Sequence, residues 1–378
     1  MTKLRPLLVF GTRPEAIKMA PVVRECLQRR DELEAIVCLT GQHRDMLDQV
    51  VEYFGIEPDD DFQLMRPNQS LAEISARCLS AMDEAIERFQ PDCVVAQGDT
   101  TTVMAASLAA FFRRTPFVHV EAGLRTGNLL SPWPEELNRR ISSLTAGLHC
   151  APTQRSADNL LAESIAPAKV HVTGNTVIDA LRWTVQRERD NDAVWRSKYD
   201  FLGDRRLVLI TGHRRENFGD GLKNICSAIA ELAQQFADVA FVYPVHLNPN
   251  VKEPVDTMLG GRPNVHLAPP VSYPEFIWLM DRSYVILTDS GGVQEEAPSL
   301  RRPVLVMRDT TERPEALEAG ACELVGTDAN RIVARLEALL TDEQEYRAHQ
   351  IDENPYGDGQ AARRIVDLLL ARAWEQQQ

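Results

Sequence analysis

The feature that most limits how this chain can fold is an alternation that runs through most of its length. Short apolar runs rich in β-branched residues are separated by longer stretches of helical period, the pattern of parallel strands joined by crossover helices. In the first half the predicted strands are Leu7 to Phe10, Ala35 to Leu39, Phe62 to Met65, Cys93 to Ala96, Phe117 to Val120, Leu148 to Ala151 and Val170 to Val172. A helix is predicted from Asn175 through about Val185, followed by RERDND, a charged stretch with no core-forming residue and the best place for a boundary. The alternation restarts at Leu207 to Ile210 and continues through Ala240 to Tyr243, Val265 to Leu267, Val285 to Leu287, Val304 to Met307 and Glu323 to Val325. The expected fold class is therefore α/β, with two doubly wound, Rossmann-like domains facing a cleft. The first would span residues 1–174 and the second 175–359, with a C-terminal helix at about 360–378 packing back on the first. At roughly 150 residues per domain, a chain of this length suits that division.

Charge and targeting narrow the function classes. Asp and Glu number 55 against 41 Lys and Arg, so the net charge of -14 repels nucleic-acid backbones and anionic lipid at long range. No nucleic-acid partner is expected, although basic loops in an acidic protein can still hold a small anion. No apolar stretch approaches the ~18 residues needed to span a bilayer, and the run Pro6 to Phe10 is too short for a signal-peptide core. The expectation is a cytoplasmic protein without a membrane partner. The 7 cysteines are scattered with no C-x-x-C pair and read as reduced, buried thiols. The 8 histidines show neither H-x-x-x-H nor H-E-x-x-H spacing, so no metal is expected.

In open α/β sheets ligands gather beyond the carboxyl ends of the strands, and here those loops carry an unusual load of Arg, His and carboxylates. Neither G-x-G-x-x-G nor G-x-x-x-x-G-K-[ST] occurs, so the usual glycine-loop signals for NAD or a Walker-type phosphate site are missing. Ser290, Gly291 and Gly292 instead leave a strand and open a helix, where backbone N–H groups can approach a pyrophosphate. Glu296 lies one turn deeper, placed to accept hydrogen bonds from a ribose diol, and Arg313 follows the next strand. Arg13 and Lys18 sit early in the first helix, where a cation opposes the macrodipole; they are either solvated surface charges or anion ligands. His213 occupies the corresponding strand end of the second domain.

Three carboxylates stand out. Asp99 precedes Thr100 and would serve equally as a helix cap. Glu121 ends an apolar strand, a costly place for a charge. Glu135 falls in a first helical turn, where the dipole alone suits an acid, and Arg139 one turn later is its expected ion partner. His246, in YPVHLNPN, is either a capped loop histidine or a ligand residue.

The loops GTRPEAIKMAP, TGQHRDMLDQV, GDTTT, HVEAGLRTG, SPWPEELNRR, VTGNTVIDAL, TGHRRENFG, YPVHLNPNV, LTDSGGVQEEAPSL, PVLVMRDTTERPEA and NPYGDG, in unbroken order from about residue 7 to 360, resemble the non-hydrolysing UDP-N-acetylglucosamine 2-epimerases. The resemblance implies a GT-B-like fold, a homodimer, and interconversion of UDP-GlcNAc with UDP-ManNAc for cell-envelope polysaccharide. By it, Asp99, Glu121 and Glu135 are catalytic carboxylates, with His213 near the reacting pyranose and Lys18 in the same cleft. Arg13, Ser290, Gly291, Gly292, Glu296 and Arg313 bind UDP, and Gln42, His43 and His246 match a second, activating UDP-GlcNAc site. Related outcomes are a hydrolysing 2-epimerase that releases ManNAc, a 2-epimerase of a modified UDP-sugar such as a diacetamido uronate, or a glycosyltransferase of the same fold. A non-catalytic sugar-nucleotide sensor is the alternative from another class.

The chemistry explains the residue types. No carbonyl acidifies the C2 hydrogen of an N-acetylhexosamine, so direct deprotonation is a poor route. One route is transient oxidation by a bound NAD, for which no fingerprint is present; the other expels UDP from C1 while a base takes the C2 proton, giving a 2-acetamidoglucal, and adds UDP back with protonation on the opposite face. This needs cations for the departing diphosphate and acid/base groups about C2, and no NAD, metal or other cofactor.

Overall fold

The structure, a computed structural model, describes residues 3–41, 44–66 and 69–375. Gln42 and His43 lie outside the described residues. The chain divides into two compact units, one running through Ala180 and resuming at Tyr356, the other spanning Leu181–Pro355.

The first unit is built on a seven-stranded parallel sheet: β1 (Pro6–Phe10), β2 (Ile36–Leu39), β3 (Asp60–Asp61), β4 (Cys93–Gln97), β5 (Phe117–Val120), β6 (Leu148–Ala151) and β7 (Val170–Val172), in spatial order β3-β2-β1-β4-β5-β6-β7. Every residue of β1 is buried, because helices cover both faces of a parallel sheet and its strands need no polar side. The strand order reverses between β1 and β4, which pair in register from Pro6 opposite Cys93. Such a reversal opens a crevice at the carboxyl edge, so the loops after β1 and β4 are where this unit can take a ligand.

The second unit repeats the plan with six parallel strands: β8 (Arg206–Thr211), β9 (Val239–Pro244), β10 (Val265–Ala268), β11 (Val285–Thr288), β12 (Val304–Val306) and β13 (Cys322–Leu324), in order β10-β9-β8-β11-β12-β13. Here the order reverses between β8 and β11. The doubly wound α/β class expected from the alternation is thus realised in both sheets. All seven cysteines are free and buried in these cores.

Two elements differ from the sequence reading. The strand expected at Phe62 to Met65 is instead the two-residue β3, paired as Cys38 with Asp60 and Leu39 with Asp61. Gln63 adopts φ 49° and breaks the ladder, while Phe62 and Leu64 pack against the core from an irregular segment. Apolar content was right and the ladder was not, since burial does not require pairing. RERDND is likewise helical: one helix runs Thr176–Asp190, and a second, Asp192–Lys198, follows. Glu188 within it is buried and accepts a hydrogen bond from Trp195 Nε1 at 2.7 Å, so a residue that reads as solvated is part of the packing.

The helix Ala361–Leu370 belongs to the first unit. It packs against the helix Arg13–Gln28, with Arg29 Nη1 2.5 Å from Asp367 Oδ1. The backbone N–H groups of Ala361 and Ala362 donate to Asp179 at 3.2 and 2.9 Å, filling the vacant donors of a helix start. Burial pushes the Asp179 carboxyl up to about 6 against those bonds. Among the described residues no helix is long and apolar enough to cross a membrane.

Candidate active site

In the first unit the site residues gather on the carboxyl edge of β1, β4 and β5. Thr12 caps the helix Arg13–Gln28 in a reciprocal box with Glu15, which accepts N–H bonds from Gly11 and Thr12 and a hydroxyl bond from Thr100 at 2.6 Å. This fixes the turn after β1 to the turn after β4. Arg13 is left exposed at the helix start, and Lys18, just over one turn on, points to the end of β5. Lys18 Nζ lies 2.8 and 2.7 Å from the two oxygens of Glu121, and Gln97 Nε2 donates to Glu121 Oε2 at 2.6 Å.

Glu121 sits at φ 61°, a left-handed conformation that a side chain rarely adopts. Two residues later a Cβ on Gly123 would lie 2.1 Å from the Ser156 carbonyl oxygen, so only glycine allows the turn to pack on the helix Gln154–Ala162. The neighbouring structure therefore forces the turn, and Glu121 is held in strain where a functional side chain is commonly found.

Asp99 is not the cap of the helix that follows; Thr100 caps it, accepting from the Val103 N–H. The Asp99 carboxylate instead receives Arg139 Nε at 2.9 Å and Nη2 at 2.7 Å. Arg139 therefore pairs with Asp99 and with Glu136, at 3.1 Å, rather than with Glu135 as its spacing suggested. The reason is direction: Glu135 opens the helix Glu135–Thr145 on a half-buried side, while Glu136 and Arg139 share its buried face. Glu136 is fully buried and also accepts N–H bonds from Thr126 and Gly127. Burial alone would raise its carboxyl; the Thr126 N–H and Arg139 outweigh it and hold it below the usual range.

In the second unit, His213 follows β8 and Asp289 follows β11, either side of the strand reversal. The His213 and His246 rings stack at 5.5 Å. His246 Nδ1 accepts the Asn248 N–H at 3.1 Å, so His246 does shape its own loop. Ser290 stands at the start of the short helix Gly291–Glu296 without a side-chain capping bond. A Cβ on Gly291 would fall 2.7 Å from Arg313 Cζ, so this glycine is the seat on which the Arg313 guanidinium rests. Arg313 is oriented there by Glu295 at 2.9 Å and Glu312 at 3.3 Å. Burial would push Glu312 up, but Arg308 and Arg313 bring it down to about 2. Glu296 is buried and accepts from the Tyr273 hydroxyl at 3.3 Å.

Sequence reading missed Gln97, Glu136, Asp289, Tyr273 and Glu295. Gln97 and Asp289 did carry a signal, a polar group terminating an apolar strand, the same signal that singled out Glu121. Tyr273 and Glu295 carried none, because their contacts depend on how separate helices meet.

The chain matches the sequence model of the UDP-N-acetylglucosamine 2-epimerases over residues 25–370. It is 53% identical over 370 residues to the UDP-N-acetylglucosamine 2-epimerase of Escherichia coli K12, covering 97% of this chain and 98% of that one. With the Campylobacter jejuni UDP-N-acetylglucosamine 2-epimerase it shares 47% identity over 372 residues, 96% and 97% of the two chains. The crystal structure of the Neisseria meningitidis UDP-GlcNAc 2-epimerase bound to UDP-GlcNAc superposes with a TM-score of 0.91 at 51% identity, covering 97% of this chain and 100% of that one. The Methanocaldococcus jannaschii enzyme in complex with UDP-GlcNAc and UDP gives 0.81 at 31% identity, covering 97% and 100%.

Proposed function

The chain belongs to the UDP-N-acetylglucosamine 2-epimerase family, and we propose that it interconverts UDP-GlcNAc and UDP-ManNAc by expelling UDP from C1 and adding it back. Its fold is the GT-B-like one of that family. The observation that carries the mechanism is the pair of cation-bound carboxylates, Lys18 with Glu121 and Arg139 with Asp99, at the ends of neighbouring strands beside the reversal of the first sheet. A base that removes a weakly acidic C–H must be oriented beforehand, and a charge-assisted contact with an adjacent cation fixes a carboxylate's direction.

In this reading residues 1–174 supply the sugar chemistry and 175–359 the uridine diphosphate site. Asp99, Glu121 and Glu135 take and return the C2 proton on the two faces of the ring. Arg13 and His213 stabilise charge on the departing diphosphate, the term that preorganised cations serve best. Ser290, Gly291, Gly292 and Arg313 hold the phosphates and Glu296 the ribose. The C2 hydrogen leaves and returns as a proton, so the reaction needs no nicotinamide, and the histidine spacing offers no metal site. The resemblance further assigns a homodimer and a second UDP-GlcNAc site at Gln42, His43 and His246.

Proton NMR of UDP-GlcNAc incubated with the protein in D2O tests this reading. Deuterium at C2 of recovered UDP-GlcNAc and UDP-ManNAc is the expected result. Net release of free sugar would assign the hydrolysing reaction instead, and no exchange at C2 would exclude UDP-GlcNAc as substrate.

A further inference from the structure

Asp289 is 1% exposed, and one of its two oxygens is fully used. Oδ2 accepts the backbone N–H of His213 at 2.9 Å, that of Arg214 at 2.8 Å, and Asn217 Nδ2 at 3.3 Å. Oδ1 is buried and has no hydrogen-bond partner among the described residues. An unmet buried carboxylate oxygen is costly and uncommon enough to require a reason. Oδ1 lies 3.7 Å from Nδ1 of His213, on the wall of a small cavity that Gly212, Asn217, Tyr243 and Met307 help to line. That separation is too long for a hydrogen bond, and less than 1 Å of ring movement would close it.

The scaffold around this gap is rigid on the Asp289 side. Asn217 Nδ2 also donates to the Met307 carbonyl, and the Tyr243 hydroxyl donates to that of Gly212. The His213 side chain, by contrast, is 46% exposed and stacks on the His246 ring. The partner that can move is therefore the imidazole.

We propose that Asp289 is a positioning residue for His213: on nucleotide binding Oδ1 accepts the Nδ1–H, fixing the tautomer that presents Nε2 to the bound sugar nucleotide. The tautomer of an imidazole is set by the hydrogen bond its other nitrogen makes. A carboxylate can only accept, so it selects Nδ1–H and leaves Nε2 free to carry a second proton toward the diphosphate as it leaves. The resulting imidazolium faces Asp289, with the His246 ring stacked beside it. This rests on the placement of His213 in the epimerase reaction above.

The test uses the full-length protein with 15N-labelled histidine and saturating UDP, above the imidazole titration. Long-range 1H–15N spectra, with the His213 signals assigned by their loss in His213→Gln, are expected to show Nδ1–H and an unprotonated Nε2. Asp289→Asn must turn its amide oxygen to the three N–H donors, which points its NH2 at His213. It should therefore reverse the tautomer and lower kcat on the order of a hundredfold, while UDP binding changes less than about threefold. An Nε2–H tautomer in the wild-type UDP complex overturns the proposal even if Asp289→Asn fails to fold. So does an Asp289→Asn protein with wild-type kcat. Active epimerisation with the wrong tautomer sinks this inference alone, whereas absence of C2 exchange sinks the reading beneath it.

Discussion

Lys18 Nζ bridges both carboxylate oxygens of Glu121, at 2.8 and 2.7 Å, with the two side chains only 13% and 10% exposed. A pair so enclosed is worth little as a staple, since its attraction mostly offsets the desolvation of both charges, yet breaking it from one side strands a charge. Glu121→Gln should accordingly lower kcat by about 10²–10⁴ and cost about 2 kcal/mol of stability, read by urea unfolding. Adding Lys18→Met should return most of the stability and none of the activity. Recovery of activity in the double variant would show that the pair is structural.

Arg139 links Asp99 to Glu136, a carboxylate with no exposed surface that also ties down the Thr126 and Gly127 N–H groups. Glu136→Ala leaves two backbone donors and a guanidinium short of their acceptor. A loss of about 2–4 kcal/mol in unfolding free energy is expected, together with a fall in kcat, because Asp99 loses its oriented cation. Arg139→Lys keeps the charge but not the two-nitrogen contact with Asp99, and should lower kcat more than it lowers stability.

Much of this was legible beforehand. The loops at the strand ends are legible as the place where ligands gather, and Glu121 stands out because a charge ending a buried apolar run is costly, whereas the sequence leaves Asp99 equally a helix cap. What could not be read was pairing across elements. Helical spacing assigned Arg139 to Glu135, whereas the packed face of the helix turns it to Asp99 and Glu136. The glycine at 291 was legible as a close approach but not as the seat of Arg313, a contact with a residue 22 positions away. The brief β3 and the helical RERDND were missed for a related reason: burial and charge are properties of a residue, while ladders and helix ends depend on neighbours.

Gly291→Ala tests the seat directly. The new methyl would fall 2.7 Å from Arg313 Cζ, and Glu295 and Glu312 restrain the guanidinium from moving away cleanly. UDP affinity, measured by calorimetry, should weaken about tenfold, roughly 1.4 kcal/mol, while the melting temperature changes little.

Two neighbouring strands bury His119 and His149, and burial depresses both imidazoles, to about 4 and about 3. A base whose folded pKa lies below its unfolded value binds its proton preferentially in the unfolded chain. Stability from these neutral rings is present above about pH 6.5 and is lost as pH falls below it. Replacing His149 by Phe removes one such proton. Between pH 7 and pH 5 the variant should therefore lose about 2 kcal/mol less unfolding free energy than the wild type. Equal losses would mean that His149 is protonated in the fold.

In the proposed reaction the bond between C1 and the nucleotide breaks and re-forms during each inversion. UDP-GlcNAc carrying 18O in the bridge between C1 and the β-phosphorus, followed by 31P NMR as epimerisation proceeds, measures this directly. A freed diphosphate exchanges its bridging and non-bridging β-oxygens by rotation, so the label should scramble in recovered substrate. Full retention of 18O in the bridge while C2 inverts would contradict the account.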